Sequence, residues 1–173
     1  PLGGRETLLD NLAKEPELLE PLLEKATYVI NTSELNSSEL KNKISELFST
    51  DTERERMGVV VRSFGFKYGL PLDSDLVLDV RFLPNPFYVE ELRHQTGNDQ
   101  PVVDYICRYP QTFEYLKLEA KRFDFLIPQY IKEGKSQLVI SVGCTGGQHR
   151  SVFVANKLAE YLGTQGYKVE VSH

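Results

Sequence analysis

The residue types with the greatest chemical potential lie together in one short segment, 139–151, which reads Val-Ile-Ser-Val-Gly-Cys-Thr-Gly-Gly-Gln-His-Arg-Ser. An apolar, β-branched run at 137–142 predicts a strand, and a glycine-rich turn leads from it into an amphipathic helix predicted over 149–165. A helix that begins there presents backbone N–H groups without intrahelical partners at the positive end of its dipole. This arrangement predicts an anion site.

The side chains of the turn favour phosphate as the anion. Gly146 and Gly147 allow positive φ and a close approach of an anion to the backbone. Thr145 and Ser151 contribute hydroxyl groups, and Arg150 contributes a planar guanidinium that can hold two phosphate oxygens. The candidate phosphate contacts are Cys144, Thr145, Gly146, Gly147, Gln148, His149, Arg150 and Ser151.

A simpler interpretation of the same segment stays open. A tight strand–helix connection with an arginine on the surface produces a similar pattern, and His149 could be either a helix cap or a donor to a ligand. The loop is not a Walker A motif, because no Gly-Lys-Ser/Thr follows its glycines, and no other segment of the sequence supplies one.

A second functional alternative comes from the spacing of Cys144 and Arg150, which is Cys-x5-Arg followed by Ser151. On a strand–loop–helix this is the pattern of cysteine-dependent phosphatases, in which a thiolate of lowered pKa attacks phosphorus while the arginine holds its oxygens. Cys144 and Arg150 would then be catalytic, whereas a binding site needs no catalytic residue. Asp79 and Asp99 are the candidates for the general acid.

Composition limits the class of protein. The length of 173 residues suits one domain, or one domain plus a fragment of another, and an apolar content of 40% excludes a disordered chain. No apolar run has the length of a membrane span and no signal peptide is visible. Two cysteines, Cys107 and Cys144, indicate a reducing cytoplasm rather than a disulfide scaffold, and three scattered histidines predict no metal site.

The net charge of −5 lies entirely in residues 1–57, whereas residues 58–173 are neutral. A neutral domain has no broad electrostatic footprint for nucleic acid, so RNA binding would need a local basic patch or several copies of the chain. The candidate RNA contacts are Lys67, Arg81 and Arg93, with Arg62 as a further local basic residue.

Strands alternating with helices predict an α/β fold, with a mainly parallel sheet, helices on both faces and a ligand site at the carboxyl ends of the strands. Strands are predicted at 58–63, 76–80, 137–142 and 168–171, and helices at 101–108, 111–132 and 149–165. Before them, the patterns predict short helices within 7–25, a strand at 27–31, a cap at Thr32 or Ser33, a helix at 37–48 and a charged linker at 49–56.

Three loops, 63–69, 79–86 and 143–151, follow strand ends and should therefore converge. The candidates in the first two are Ser63, Gly65, Lys67, Asp79, Arg81 and Asn85. Each has a structural alternative: Lys67 could be a solvated turn charge, and Asp79 could pair with Arg81. Asn85, between two prolines, could be a rigid turn residue.

Four blocks in order, at 63–67, 79–86, 96–97 and 143–151, resemble the RapZ/YvcJ family of bacterial nucleotide-binding proteins and RNase adapters. The resemblance covers essentially the whole chain. It implies that 1–50 is the C-terminal remnant of a P-loop kinase-like domain, 51–57 a linker and 58–173 a C-terminal phosphosugar-sensing and RNA-binding domain.

The resemblance implies a regulator that senses a phosphorylated metabolite such as glucosamine-6-phosphate, and that binds small RNA for an RNase as a homo-oligomer. It implies ATP or GTP in the P-loop domain of the longer parent protein, and no cofactor in the present chain. Tyr68, Phe87 and Gln148 stand where enterobacterial relatives have two histidines and a lysine, which removes donors or positive charge. The resemblance therefore favours phosphate recognition over RNA recognition.

Overall fold

The computed structural model describes residue 16 and residues 19–48 and 57–173. The chain divides into two compact units, 1–43 and 44–173. In the described part of the first unit, residues 19–23 are helical and residues 27–31 form no strand, so the predicted strand is wrong. A lone Tyr-Val-Ile run is too little to make a strand, because its backbone groups need a neighbouring strand. Most of the predicted helical stretch 7–25 and the linker 49–56 lie outside the described residues.

Helix α1 spans Ser37–Phe48, as predicted. Asn36, and not Thr32 or Ser33, caps it, because Asn36 Oδ1 accepts the backbone N–H groups two and three residues later at 3.0 and 2.9 Å. The Glu39 carboxylate in turn accepts the Asn36 backbone N–H at 2.8 Å. This reciprocal pair is a capping box, which satisfies donors that the first helical turn leaves free.

The second unit is built on a four-stranded sheet in which all strands are parallel, in the order β2-β3-β1-β4, which confirms the predicted α/β class. The strands are β1 (Gly58–Gly65), β2 (Leu76–Asp79), β3 (Gln137–Cys144) and β4 (Lys168–Ser172). Their carboxyl ends meet at one edge, since Gly65 is in register with Cys144, and Asp79 with Gly143.

Three helices connect these strands, each within two residues of its predicted bounds. They are α2 (Gln100–Cys107), α3 (Pro110–Lys132) and α4 (Arg150–Thr164), and short 3-10 turns lie at Phe66–Tyr68, Pro86–Tyr88 and Glu90–Leu92. Helix α4 packs against β1, β3, β4 and α3. No helix in the described part of the chain is both long and apolar enough to cross a membrane.

The core lies where α4 meets the two central strands. Residues of β3 are buried on both faces, as expected for a central parallel strand, whereas those of β1 alternate between buried and half-buried. The apolar side chains that join sheet and helix are Val59, Val61, Leu138, Ile140, Val142, Val154, Ala155, Leu158 and Leu162. This packing holds the first turn of α4 directly beyond the end of β3.

Candidate anion-binding site

All three predicted loops are in backbone contact at the carboxyl edge of the sheet, and the loop after β2 joins the others through the Val80 N–H, which donates to the Gly143 carbonyl at 2.9 Å. The Lys67 N–H donates to the Thr145 carbonyl at 3.2 Å. A Cβ atom added to Gly65 would lie 2.7 Å from the carbonyl carbon of Gly146, and one added to Gly147 would lie 2.7 Å from the nitrogen of Gly65. Glycine is therefore required at 65 and 147 so that the loops can approach each other, and Gly147 also has a φ of 74°.

Gly146 differs from these two glycines because the space beside it is open. A Cβ atom there would have the Lys67 Nζ as its nearest neighbour, at 3.9 Å. Within the described residues, the backbone N–H groups of Gly146, Gln148 and His149 donate to no acceptor. Helix α4 begins one residue later, so these N–H groups lie at the positive end of its dipole. We call residues 144–151 the cradle.

Arg150 is the buried cation of the cradle, with an exposed fraction of 5%. Its Nη1 donates to the carbonyl oxygens of Arg81 at 2.5 Å and Leu83 at 3.1 Å, so this nitrogen ties α4 to the loop after β2. Its Nη2 lies 3.4 Å from the Thr145 hydroxyl, and its buried Nε has no hydrogen-bond partner in the described part of the chain. The Nε–Nη2 edge of the guanidinium therefore remains for an anion.

Cys144 forms the base of the cradle and is 3% exposed. Its Sγ lies 3.2 Å from the Ser151 hydroxyl and accepts the Gly147 N–H at 3.3 Å. Burial raises the pKa of the Cys144 thiol, but the hydrogen bonds from Ser151 and Gly147, with the nearby charge of Arg150, outweigh burial and hold this pKa below its ordinary value. The neighbours of the sulfur therefore favour the thiolate.

Asp79 and Arg81 pair with each other, which is the structural alternative left open by the sequence. The Arg81 Nη2 lies 2.6 Å from the Asp79 carboxylate, and Arg81 also lies over the Phe66 ring at 4.2 Å from its centroid. The hydrogen bond from Arg81 lowers the pKa of Asp79 despite an opposing effect of burial. The Arg81 charge is therefore largely compensated, although its carbonyl oxygen holds Arg150.

Two cradle side chains point into the protein rather than towards a ligand. The Gln148 amide donates to the Gln95 carbonyl at 2.6 Å, and the buried His149 ring has its Nε2 3.0 Å from the Leu92 carbonyl. His149 makes no side-chain cap. Both side chains instead fasten the start of α4 to the segment 92–97.

Asn85 lies in the loop after β2 as a turn residue. Its side chain accepts the Phe87 N–H at 3.4 Å and caps the start of the 3-10 turn at Pro86–Tyr88.

The four predicted basic candidates, Arg62, Lys67, Arg81 and Arg93, differ in whether a carboxylate compensates their charge. Arg62 forms an ion pair with Asp73 at 2.8 Å, and Arg81 forms one with Asp79 at 2.6 Å.

Lys67 and Arg93 carry the least compensated charges of the four. Neither makes an ion pair with the described residues, and each lies over an aromatic ring. Lys67 Nζ is 4.6 Å from the centroid of the Tyr68 ring, and Arg93 lies 5.3 Å from that of the Phe87 ring. Lys67 is also the one that approaches Gly146.

A cleft of about 400 Å³ adjoins the cradle, and sequence reasoning missed most of it. Gly146 and Gly147 form part of its wall. The other lining residues are Arg62, Ser63, Phe64, Gly65, Tyr68, Gly69, Leu70, Pro71 and His173. Ser63 Oγ lies 3.0 Å from His173 Nδ1. Only the pairing of β4 beside β1 brings His173 there, so no local signal could have identified it.

No group of three or more histidine, cysteine, aspartate or glutamate side chains in the described part of the chain could hold a metal ion. The donors of the site are instead suited to an anion, since they are N–H groups, hydroxyl groups and one guanidinium.

Comparison with known proteins matches residues 57–173 to the RapZ C-terminal domain and residues 1–52 to the RapZ-like N-terminal domain. A nucleotide-binding protein of Caldicellulosiruptor saccharolyticus is 52% identical over 170 residues, which are 96% of this chain and 57% of the relative. Another, of Carboxydothermus hydrogenoformans, is 48% identical over all of this chain and 60% of its own length. A third, of Caldanaerobacter subterraneus, is 47% identical over 173 residues, which are 100% of this chain and 61% of the relative. The chain thus spans about 60% of the length of these curated relatives.

Proposed function

Since the chain belongs to the RapZ family, we propose that residues 57–173 form a regulatory module that binds a phosphorylated metabolite in the cradle. One observation carries the proposal: the guanidinium of Arg150 is buried with its Nε unpartnered. It lies beside backbone N–H groups of the cradle that also lack acceptors among the described residues. Buried donors without acceptors are costly, and a bound anion satisfies them.

The phosphate group is held by donors of four kinds. The Nε–Nη2 edge of Arg150 takes two oxygens in parallel, and the N–H groups of Gly146, Gln148 and His149 take the remaining oxygen positions. The exposed Thr145 hydroxyl and the ammonium of Lys67, beside Gly146, close the open side. Phosphate is thereby neutralised by one buried and one exposed cation.

The rest of the metabolite lies in the adjoining cleft, where Ser63 and His173 offer hydrogen bonds and Tyr68 offers a ring face. A sugar that carries hydroxyl or amino groups fits this mixture of polar and apolar surface. The resemblance to the RapZ/YvcJ family implies glucosamine-6-phosphate among such sugars, and we propose that its phosphate lies in the cradle and its amino sugar in the cleft.

Calorimetry with Arg150 variants tests the proposal. Arg150→Ala should weaken glucosamine-6-phosphate binding by about 1.5–3 kcal/mol, the scale for hydrogen bonds to charged groups, which is roughly a tenfold to hundredfold rise in Kd. Arg150→Lys should recover only part of the affinity, because an ammonium lacks the bidentate edge. Arg93→Ala is the matched control, since Arg93 lies outside the cradle and cleft.

Two further measurements make this test decisive. Thermal unfolding must show that the Arg150 variants are folded, because Nη1 also holds the loop after β2. His173→Ala should weaken the sugar phosphate by about 0.5–1.5 kcal/mol and leave inorganic phosphate unaffected. Unchanged affinity in a folded Arg150→Ala protein would refute the cradle.

The proposal extends to an RNase adapter role that brings small RNA to a protein partner. Residues 58–173 are electrically neutral, so a single copy attracts RNA weakly. Repetition of Lys67 and Arg93 across the copies of a homo-oligomer would raise the affinity by avidity. We further propose that the longer parent protein binds ATP or GTP in its P-loop domain and acts in the cytoplasm.

A further inference from the structure

We propose that Cys144 is a nucleophile, which accepts the phosphoryl group of small aryl and acyl phosphates held in the cradle and thereby makes the module a slow phosphatase. The inference rests on the proposed phosphate site and adds a chemical step to it. The main evidence is the set of hydrogen bonds to Cys144 Sγ, which a cysteine with a purely structural role does not need.

The sulfur is surrounded by donors. The Gly147 N–H donates to Sγ at 3.3 Å, and the fully buried Ser151 hydroxyl lies 3.2 Å away with no other partner in the described part of the chain. A thiolate at this position can accept both bonds at once, one from the Gly147 N–H and one from the Ser151 hydroxyl. The lowered pKa of Cys144 agrees with this assignment.

The arginine of the Cys-x5-Arg spacing serves the same anion. Cys144 ends β3 and Arg150 begins α4, so five residues form the turn that joins them, and the Arg150 charge is near enough to help lower the pKa of Cys144. The Nε–Nη2 edge and the open N–H groups hold the phosphoryl oxygens. The phosphorus is then directed at Sγ, which lies at the base of the same turn.

The reaction has two steps. The thiolate electron pair forms an S–P bond while the P–O bond to the leaving group breaks and its electron pair departs on the phenolate or carboxylate. Water then attacks phosphorus, the S–P bond breaks to restore the thiolate, and the proton of the water passes to solvent. The products are inorganic phosphate and the leaving-group anion, so the reaction requires no oxidant and no second substrate other than water.

The leaving group must depart without a proton, because neither predicted general acid can supply one. Asp79 is paired with Arg81, and its lowered pKa keeps it ionised. Asp99 is occupied as an acceptor of the Thr96 N–H at 2.6 Å and the Thr96 hydroxyl at 3.1 Å. This restricts the substrates to esters and anhydrides of acidic leaving groups, and the 3% exposure of Cys144 restricts them to small molecules.

The test uses the 173-residue chain with p-nitrophenyl phosphate. Wild type should release p-nitrophenolate with turnover, and Cys144→Ser should lower the rate by at least about 100-fold. Cys107→Ser is the matched control: Cys107 is half-buried outside the cradle, and burial raises the pKa of its thiol. Its rate should stay within about twofold of wild type.

An acid-quenched reaction analysed by mass spectrometry should show one phosphoryl group on the peptide that contains Cys144. This phosphorylated intermediate should accumulate further in Ser151→Ala, because the thiolate that leaves in the second step then lacks the hydrogen bond from Ser151. Absence of p-nitrophenolate release by wild type, or equal rates in wild type and Cys144→Ser, would overturn the proposal. Calorimetry of inorganic phosphate with both proteins separates the two hypotheses: retained binding without turnover removes only the nucleophile, whereas lost binding in wild type removes the cradle itself.

Discussion

At the scale of single residues, glycines near the cradle serve different purposes that the structure distinguishes. Gly147 has a φ of 74°, and a Cβ there would also collide with the backbone of Gly65 at 2.7 Å. Gly69 has a φ of 102°, yet no atom lies within 4 Å of its added Cβ. The two positions therefore share backbone strain but only Gly147 adds a steric clash.

We expect Gly69→Ala to lower the free energy of unfolding by about 1–3 kcal/mol, through the strain of its positive φ alone. Gly147→Ala should lower it by more, roughly 3 kcal/mol or above, because the loops must also move apart. Urea unfolding of both variants measures the difference. Equal losses would mean that the contact between the two loops contributes nothing to stability.

At the scale of elements, the two ends of helix α4 differ in how closely other segments pack against them. Its start is fixed by the side chains of Gln148, His149 and Arg150, all of which reach other segments. Gly97 packs so closely there that an added Cβ would lie 2.3 Å from the His149 carbonyl oxygen. Gly163, near the other end of the helix, has no atom within 4 Å of an added Cβ.

Gly163→Ala should therefore stabilise the protein by about 0.5–1 kcal/mol, because alanine loses less backbone entropy than glycine in a helix. Gly97→Ala should instead destabilise it and weaken phosphate binding, since the first turn of α4 must shift. Thermal unfolding and phosphate calorimetry on the pair provide the comparison. Destabilisation by Gly163→Ala would contradict the open surroundings of that residue.

At the scale of the whole molecule, the neutral charge of residues 58–173 sets the character of any RNA binding. Affinity for a structured small RNA should fall steeply with salt and rise with oligomeric state. Lys67→Ala should reduce the slope of log K against log salt by about 1 per copy that contacts phosphate. Arg62→Ala should have a smaller effect, because Asp73 already pairs with Arg62. Tight, salt-insensitive binding by a monomer would contradict this expectation.

The sequence by itself determined the local features of residues 57–173. The four strands and three helices of this unit lie within about two residues of their predicted bounds, because apolar periodicity and glycine turns are short-range signals. The parallel class followed from their alternation, and the strand–turn–helix geometry of residues 137–150 followed from the apolar run and the glycines between strand and helix. These signals need no knowledge of distant neighbours.

Tertiary structure decided which polar groups are partnered and which elements exist only with neighbours. The Tyr-Val-Ile run at 28–30 has strand propensity but forms no strand, because a strand needs a neighbour. Arg150 Nε has no partner among the described residues, whereas Nη1 is held by two carbonyl oxygens from the loop after β2. His173 meets Ser63 across 110 positions of sequence only because β4 pairs with β1. Such contacts depend on strand order and loop crossing, which local residue patterns do not encode.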